Sequence, residues 1–249
     1  SSMDSMSSLS SVSSMSTFLN REGEEIREGK VHWHLAKMYL NGELGAEDPS
    51  NATVMEELDE GQRSSALYYL NQAAECGDCE ACYALARLHE NFTSNDDLPN
   101  LKLDEDEVDI KHAGRFYETA ANGGNLEACV RIAKAYYNAN NEDGDNRGDL
   151  GVNIDASKSL QFWNLADQHV GVRDSSNNVE KEYGQIERWT TTAAMAHLYH
   201  KSSTEKNPSK AYELYTTAGE LAMNGGKFKL GTEYMMLAEE AGYEIEEDV

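Results

Sequence analysis

The fold is decided by residues 113–125, which have the sequence AGRFYETAANGGN. Ala113, the pair Phe116-Tyr117 and Ala120 fall at positions i, i+3, i+4 and i+7, so they share one face of a helix. The alanines let a neighbouring helix approach closely, and the aromatic pair fills the space between them. Gly123-Gly124 accepts the left-handed backbone of a helix end. The stretch therefore predicts a helix that packs through small and aromatic residues and stops at the paired glycines.

The same face recurs in three further stretches of the chain. Each stretch carries a small residue, two large residues and an alanine at the same four positions. The columns are Ala66, Ala113, Ser159 and Ala211; Tyr69, Phe116, Phe162 and Leu214; Leu70, Tyr117, Trp163 and Tyr215; and Ala73, Ala120, Ala166 and Ala218. The copies recur roughly every 50 residues, a length that suits two helices and a variable loop.

A second pattern precedes each of these faces and predicts a partner helix. It consists of an apolar residue, an alanine in all four copies and, three residues later, an aromatic ring. These columns are Leu35, Leu85, Ile132 and Met195; Ala36, Ala86, Ala133 and Ala196; and Tyr39, His89, Tyr136 and Tyr199. The loops between the paired helices hold much of the Asp, Asn, Gly and Pro, and span residues 42–63, 91–109, 139–155 and 201–207. Residues 227–242 predict one more helix, which caps the array.

The repeats predict an all-α fold, in which helix pairs stack as an α/α superhelix, a right-handed solenoid with a concave face. Stacking is required because a single pair would leave its apolar stripe in water, and each buried Leu or Phe contributes about 1.5–3 kcal/mol. We expect residues 23–249 to form this domain, with a capping helix and an acidic tail. Residues 1–22 are expected to be a flexible linker end, because ten of the first seventeen residues are serine. Phosphorylation of these serines is the alternative to a plain spacer.

Charge narrows the classes of partner. The formal net charge of −24 and the pI near 4.5 repel phosphate backbones and anionic lipids and attract basic proteins. We therefore expect no nucleic-acid partner and no membrane partner. No run approaches the ~20 apolar residues of a membrane span, and the first residues lack the order of a signal peptide. A soluble, cytoplasmic protein is expected.

Three motifs suggest metal or phosphate sites, but each is better explained otherwise. Cys76, Cys79 and Cys82 have a spacing that can bind zinc or an iron–sulfur cluster. Cys82, however, occupies the repeat position of Cys129, where a small packing residue belongs. The calcium-loop candidate at residues 143–154 lacks oxygen ligands at its fifth and twelfth positions, Arg147 and Ile154. The phosphate-loop candidate at residues 225–228 has phenylalanine where Ser or Thr is needed.

Histidines do not supply a site either. The pairs His32 with His34 and His197 with His200 have no carboxylate or cysteine at a supporting spacing. No glycine-rich loop on a strand and no metal-binding kinase loop occurs in the sequence. We therefore predict no catalytic residues, no metal and no cofactor, so the chain is expected not to be an enzyme.

The order Leu-Ala-x-x-Tyr, a loop, and then Ala-x-x-aromatic-aromatic-x-x-Ala-Ala-x-Gly-Gly-Asn resembles the Sel1-like repeat, a relative of the tetratricopeptide repeat. From Val31 onward the chain also resembles the C-terminal helical region of a calmodulin-dependent branch of the alpha-kinase family. Residues 234–241, YMMLAEEA, carry this second resemblance most strongly. The family's aromatic residue after this run is replaced by Gly242, with Tyr243 one place later.

The resemblance implies a role for the chain in translation elongation. It implies that the kinase domain is separate from this chain, and that the repeats recruit the substrate, elongation factor 2, to it. The implied partners are elongation factor 2, the kinase domain of the same protein and calmodulin, with a monomeric chain. The implied contact residues are Tyr234, Leu237, Glu239, Glu240, Tyr243, Glu244, Glu246 and Glu247. The alternative is a general Sel1-like scaffold whose concave face binds an unrelated protein or peptide and whose acidic tail is inert.

Overall fold

The computed structural model describes residues 28–44, 59–90, 98, 101–137, 149–174 and 186–247, without the side chains of 171–174 and 246–247. This part of the chain is helical and contains no β-strand. Its helices are α1 (28–40), α2 (Glu60–Glu75), α3 (Cys79–His89), α4 (Ile110–Asn122), α5 (Leu126–Tyr136), α6 (Ala156–Asp174), α7 (Arg188–Lys201), α8 (Pro208–Asn224) and α9 (Phe228–Glu247). A 3-10 turn, Asp149–Gly151, precedes α6.

Short polar side chains define where the helices begin. Asp59 and Gln62 form a reciprocal capping box at the start of α2. Asp78 accepts hydrogen bonds from the first backbone N–H groups of α3, and Asn125 does the same for α5. Asn207 caps α8. Each such cap stabilises its helix by about 1 kcal/mol, because it satisfies a donor that has no partner within the helix.

The helices group into two compact units. The N-terminal unit, Ser1–Gly123, contains α1 to α4, and the C-terminal unit, Gly124–Val249, contains α5 to α9. Within the N-terminal unit α3 packs against both α2 and α4. Within the C-terminal unit each helix packs against the next, and the closest association is between α8 and α9. Each unit is therefore built from helix pairs in chain order.

The predicted columns form the core of these units. The small residues of every column are fully buried: Ala36, Ala66, Ala73, Ala86, Ala113, Ala120, Ala133, Ser159, Ala166, Ala196, Ala211 and Ala218. The one polar member, Ser159, is satisfied because its hydroxyl donates to the Ala133 carbonyl at 2.7 Å. The large residues Leu70, Tyr117, Trp163 and Tyr215 are also buried. The prediction of an all-α fold of repeated helix pairs is confirmed.

Some predicted boundaries shift. Helix α2 begins at Glu60, inside the expected loop 42–63, because the capping box starts it there. Helix α9 continues past Gly242 to Glu247, so Glu244, Glu246 and Glu247 lie within the helix and not in a tail after it. The serine-rich segment 1–22 and residues 143–148 of the calcium-loop candidate lie outside the described residues.

Candidate protein-interaction site

The last helix, α9, is fixed by an apolar inner face. Ala238 and Ala241 of α9 are buried against Ala196 of α7 and against Ala211 and Tyr215 of α8. The side chains of Tyr234 and Leu237, both predicted contact residues, are partly buried against the same cluster. These two residues therefore hold α9 in place, and only their exposed edges can reach a partner.

Paired glycines bring the α8 and α9 backbones together. A Cβ atom at Gly231 would lie 2.9 Å from the Gly219 carbonyl oxygen and 2.5 Å from Met223 Cγ. A Cβ atom at Gly219 would lie 3.1 Å from the Gly231 carbonyl oxygen. Side chains at these two positions would push the helices apart, so the glycines set the position of α9 on the unit.

Two of the glutamates that were predicted to contact a partner form ion pairs within the chain. Glu240 Oε1 lies 2.8 Å from Lys201 Nζ. Glu244 lies 3.0 Å from Lys206 Nζ through Oε2 and 3.3 Å from Nε2 of the buried His200 through Oε1. A hydrogen bond from Lys201 lowers the pKa of the Glu240 carboxyl, and one from Lys206 lowers that of Glu244. Both carboxylates therefore tie α9 to α7 and to the loop that follows it.

The opposite face of α9 is open to solvent. Tyr243 is 68% exposed, Met236 is 65% exposed and Phe228 is 69% exposed, and Glu239 is exposed between them. These four residues lie within about 80° of the helix circumference. We call this set the outer stripe: Phe228, Met236, Glu239 and Tyr243.

The structure thus divides the predicted contact residues among three directions. Tyr234 and Leu237 face the core, whereas Glu240 and Glu244 face α7. Glu239 and Tyr243 face solvent, while the side chains of Glu246 and Glu247 are outside the described set. The sequence prediction missed Phe228 and Met236, although their spacing of two helical turns from each other was a usable signal.

The cysteines take part in packing. Cys82 and Cys129 are buried, and burial raises the pKa of each thiol to about 12. All four cysteines lie in the described part of the chain, and none of them forms a disulfide bond. Among the described residues, no group of three or more His, Cys, Asp or Glu side chains is arranged to hold a metal ion. The same residues contain no helix that is both long enough and apolar enough to cross a membrane.

Comparison with known proteins identifies similar sequences. No protein-family model matches the chain. The chain is 25% identical over 234 residues to eukaryotic elongation factor 2 kinase of Rattus norvegicus, covering 88% of this chain and 28% of that protein. The human protein of the same name is 26% identical over 222 residues. The chain spans little more than a quarter of the length of these relatives. The predicted resemblance is confirmed.

Solved structures of helical repeat proteins are also similar. The crystal structure of a Sel1 repeat protein from Oxalobacter formigenes has a TM-score of 0.48 and 13% identity, covering 86% of this chain and 73% of that one. A protective antigen of uropathogenic Escherichia coli with an SLR fold has a TM-score of 0.35 and 16% identity. The kinase similarity and the fold described above together indicate a helical protein-interaction domain.

Proposed function

We propose that this chain is a non-catalytic domain that recruits elongation factor 2 to an attached calmodulin-dependent alpha-kinase. The similarity to elongation factor 2 kinase over 88% of the chain supports the choice of partner. Recruitment places the substrate beside the kinase domain at a high effective concentration, so phosphorylation becomes effectively intramolecular. In this way the domain regulates translation elongation in the cytoplasm.

The observation that carries the proposal is the two-sided character of α9. Its inner face packs through Ala238 and Ala241, and the ion pairs of Glu240 and Glu244 hold a second side of the helix against α7 and the loop after it. Its outer stripe nevertheless presents Tyr243 and Met236 to solvent. A rigid helix with exposed aromatic and apolar side chains is a typical anchor in protein interfaces, because its backbone is already ordered and does not have to be ordered on binding.

Charge favours a basic surface on the partner. Glu239 lies in the outer stripe, and the chain as a whole is strongly acidic. Acidic residues around an apolar anchor steer a basic patch toward it and increase the association rate. The affinity for elongation factor 2 should therefore fall as the salt concentration rises.

A binding measurement with point variants tests this proposal. Deletion of residues 238–249 is a poor test, because it removes Ala238 and Ala241 from the core. We would instead compare Tyr243→Ala with the unsubstituted chain by surface plasmon resonance against purified elongation factor 2. Because a central aromatic anchor contributes about 2 kcal/mol, Tyr243→Ala should weaken binding by about thirtyfold.

The control is Tyr68→Ala, which removes a similarly exposed tyrosine, 59% accessible, from α2 of the N-terminal unit. Binding by this variant should be unchanged. Equal binding by Tyr243→Ala and the unsubstituted chain would remove the outer stripe from the interface. A loss for Tyr68→Ala but not for Tyr243→Ala would favour the alternative of a general scaffold that binds through another surface.

A further inference from the structure

One position of the repeat is occupied by Lys, Arg or His in all four copies of this acidic chain. The position directly after the invariant alanine of each first helix is occupied by Lys37, Arg87, Lys134 and His197. In α9 the corresponding position after Ala238 is Glu239. The chain contains 21 Lys and Arg against 45 Asp and Glu, and three of the four residues in this column are Lys or Arg. Arg87 and Lys134 lie in the last turn of their helices, where the helix dipole favours a positive charge. Burial lowers the pKa of the His197 imidazole, which favours its neutral form.

In the C-terminal unit two members of this column meet at a pocket. Lys134 of α5 and His197 of α7 line a cavity of about 330 Å³ together with Tyr137, Trp163 and Ala194. The volume is at the lower limit of ligand sites, which suits one or two side chains of a peptide. No carboxylate is among the described residues that line this pocket.

Trp163 and Tyr137 give the pocket an aromatic wall. Trp163 is buried in α6 at the position of the second large residue of the repeat. The ring of Tyr137 stands edge-on to the His197 imidazole at a centroid distance of 5.8 Å. Aromatic walls of this kind bind an aromatic or aliphatic side chain and exclude water from neighbouring polar contacts.

The polar groups of the pocket favour an anion. The Lys134 ammonium is exposed and has no ion pair with any described carboxylate. His197 Nδ1 lies 3.3 Å from the Tyr215 hydroxyl, and this contact holds the ring at the pocket. Glu240 is near enough to act on Tyr215, but its charge is paired with Lys201 at 2.8 Å. A carboxylate entering the pocket would therefore meet the Lys134 ammonium, and no carboxylate among the described residues that line the pocket would oppose it.

The N-terminal unit supplies an internal comparison. The repeat pattern places Lys37 at the position of Lys134 and Leu40 at the position of Tyr137. It places Leu70 at the position of Trp163 and Arg87 at the position of His197. Lys37 lies 5.2 Å from the Trp33 ring centroid, on its own helix. Leu40 and Leu70 are buried in the core. The basic positions are thus retained in the N-terminal unit, whereas the aromatic wall is not.

We propose that the pocket lined by Lys134, Tyr137, Trp163 and His197 binds an acidic peptide segment, with a carboxylate at Lys134 and an apolar side chain against Trp163. This site is separate from the outer stripe. It also favours a partner of the opposite charge, because the outer stripe favours a basic partner. The two sites give one small domain separate contacts for oppositely charged partners.

Nuclear magnetic resonance titration tests the pocket directly. The probe is the peptide acetyl-Asp-Glu-Phe-Glu-Asp-amide, added to the ¹⁵N-labelled chain at about 0.15 M salt, where distant negative charges are screened. The amide analogue acetyl-Asn-Gln-Phe-Gln-Asn-amide and the basic analogue acetyl-Lys-Lys-Phe-Lys-Lys-amide are titrated in parallel. The signal is the indole N–H resonance of Trp163, assigned by its loss in Trp163→Phe.

The acidic peptide should shift the Trp163 indole resonance, and Lys134→Gln should weaken its binding by about fivefold, as expected for one exposed charge pair. Lys37→Gln, at the equivalent position of the N-terminal unit, should leave binding unchanged. The proposal is overturned if the amide or basic peptide binds as tightly as the acidic one, or if no shift occurs up to about 1 mM peptide. Equal weakening by Lys37→Gln and Lys134→Gln would also overturn it, because that result indicates nonspecific charge attraction.

Discussion

Two turns in the molecule share the sequence Asn-Gly-Gly and the same backbone, yet their first glycines face different neighbours. Gly123 and Gly225 both have a φ of −79°, a conformation open to any residue, and they are followed by glycines with a φ of +94° and +77°. A Cβ atom at Gly123 would lie 2.6 Å from Cys79 Cβ, and one at Gly225 would lie 2.5 Å from Trp189 Cζ3. The first glycine is therefore required by a neighbouring helix, whereas the second is required by the turn itself.

In a third turn the same contact between helices occurs with the glycine and the larger residue in exchanged places. At Cys76-Gly77 the cysteine stands where the other turns have their first glycine, and the glycine is on the opposite helix. A Cβ atom at Gly29 of α1 would lie 3.1 Å from Cys76 Cβ. This contact between helices therefore has room for one side chain, which either helix can supply.

The largest effect is expected for Gly123→Ala. The obstructing atom is Cys79 Cβ, which is fixed to the α3 backbone and cannot rotate away, so α3 and α4 must separate. We expect the free energy of unfolding to fall by about 2–3 kcal/mol, as measured by urea denaturation followed by circular dichroism.

The swap of partners tests the reason for this loss. Cys79→Gly combined with Gly123→Ala reproduces the arrangement of Gly29 and Cys76, and it should recover more than half of the lost stability. If the double variant is less stable than Gly123→Ala alone, the idea of one shared space between the helices is wrong.

A smaller loss is expected for Gly225→Ala. Here the new methyl group meets the far edge of the Trp189 ring, and Trp189 is only partly buried. The ring can therefore move, and the free energy of unfolding should fall by about 1–2 kcal/mol. Displacement of the ring should shift the tryptophan fluorescence maximum to longer wavelength. A loss as large as that of Gly123→Ala would show that the two contacts are equally rigid.

The smallest effect is the difference between Gly124→Ala and Gly226→Ala. Both positions have positive φ, and each substitution should cost about 1 kcal/mol for that reason. A Cβ atom at Gly226 meets nothing within 4 Å, whereas one at Gly124 would lie 3.0 Å from His169 Cε1. Gly124→Ala should therefore be the more destabilising by up to about 1 kcal/mol. Identical urea midpoints would contradict a role of His169 in this contact.

Much of the fold was predictable from local sequence. The spacing of Ala113, Phe116, Tyr117 and Ala120 placed these residues on one face, because helical geometry alone sets that relationship. Three of them are buried and Phe116 is half-buried. The candidate site was less predictable. The acidic run of α9 does not reveal that Glu240 and Glu244 pair with Lys201 and Lys206, because these partners lie about 40 residues away in the sequence and meet only through packing.

The sequence by itself determined where the repeat helices lie, to within a few residues, and which face of each is buried, because both depend on residue type and on a spacing of a few residues. Only the tertiary structure decided what stands opposite each position. Gly123 faces Cys79, Gly225 faces Trp189, and Lys134 shares a pocket with His197. These pairings depend on how closely separate helices approach one another, and that approach is set by the packing of whole helices.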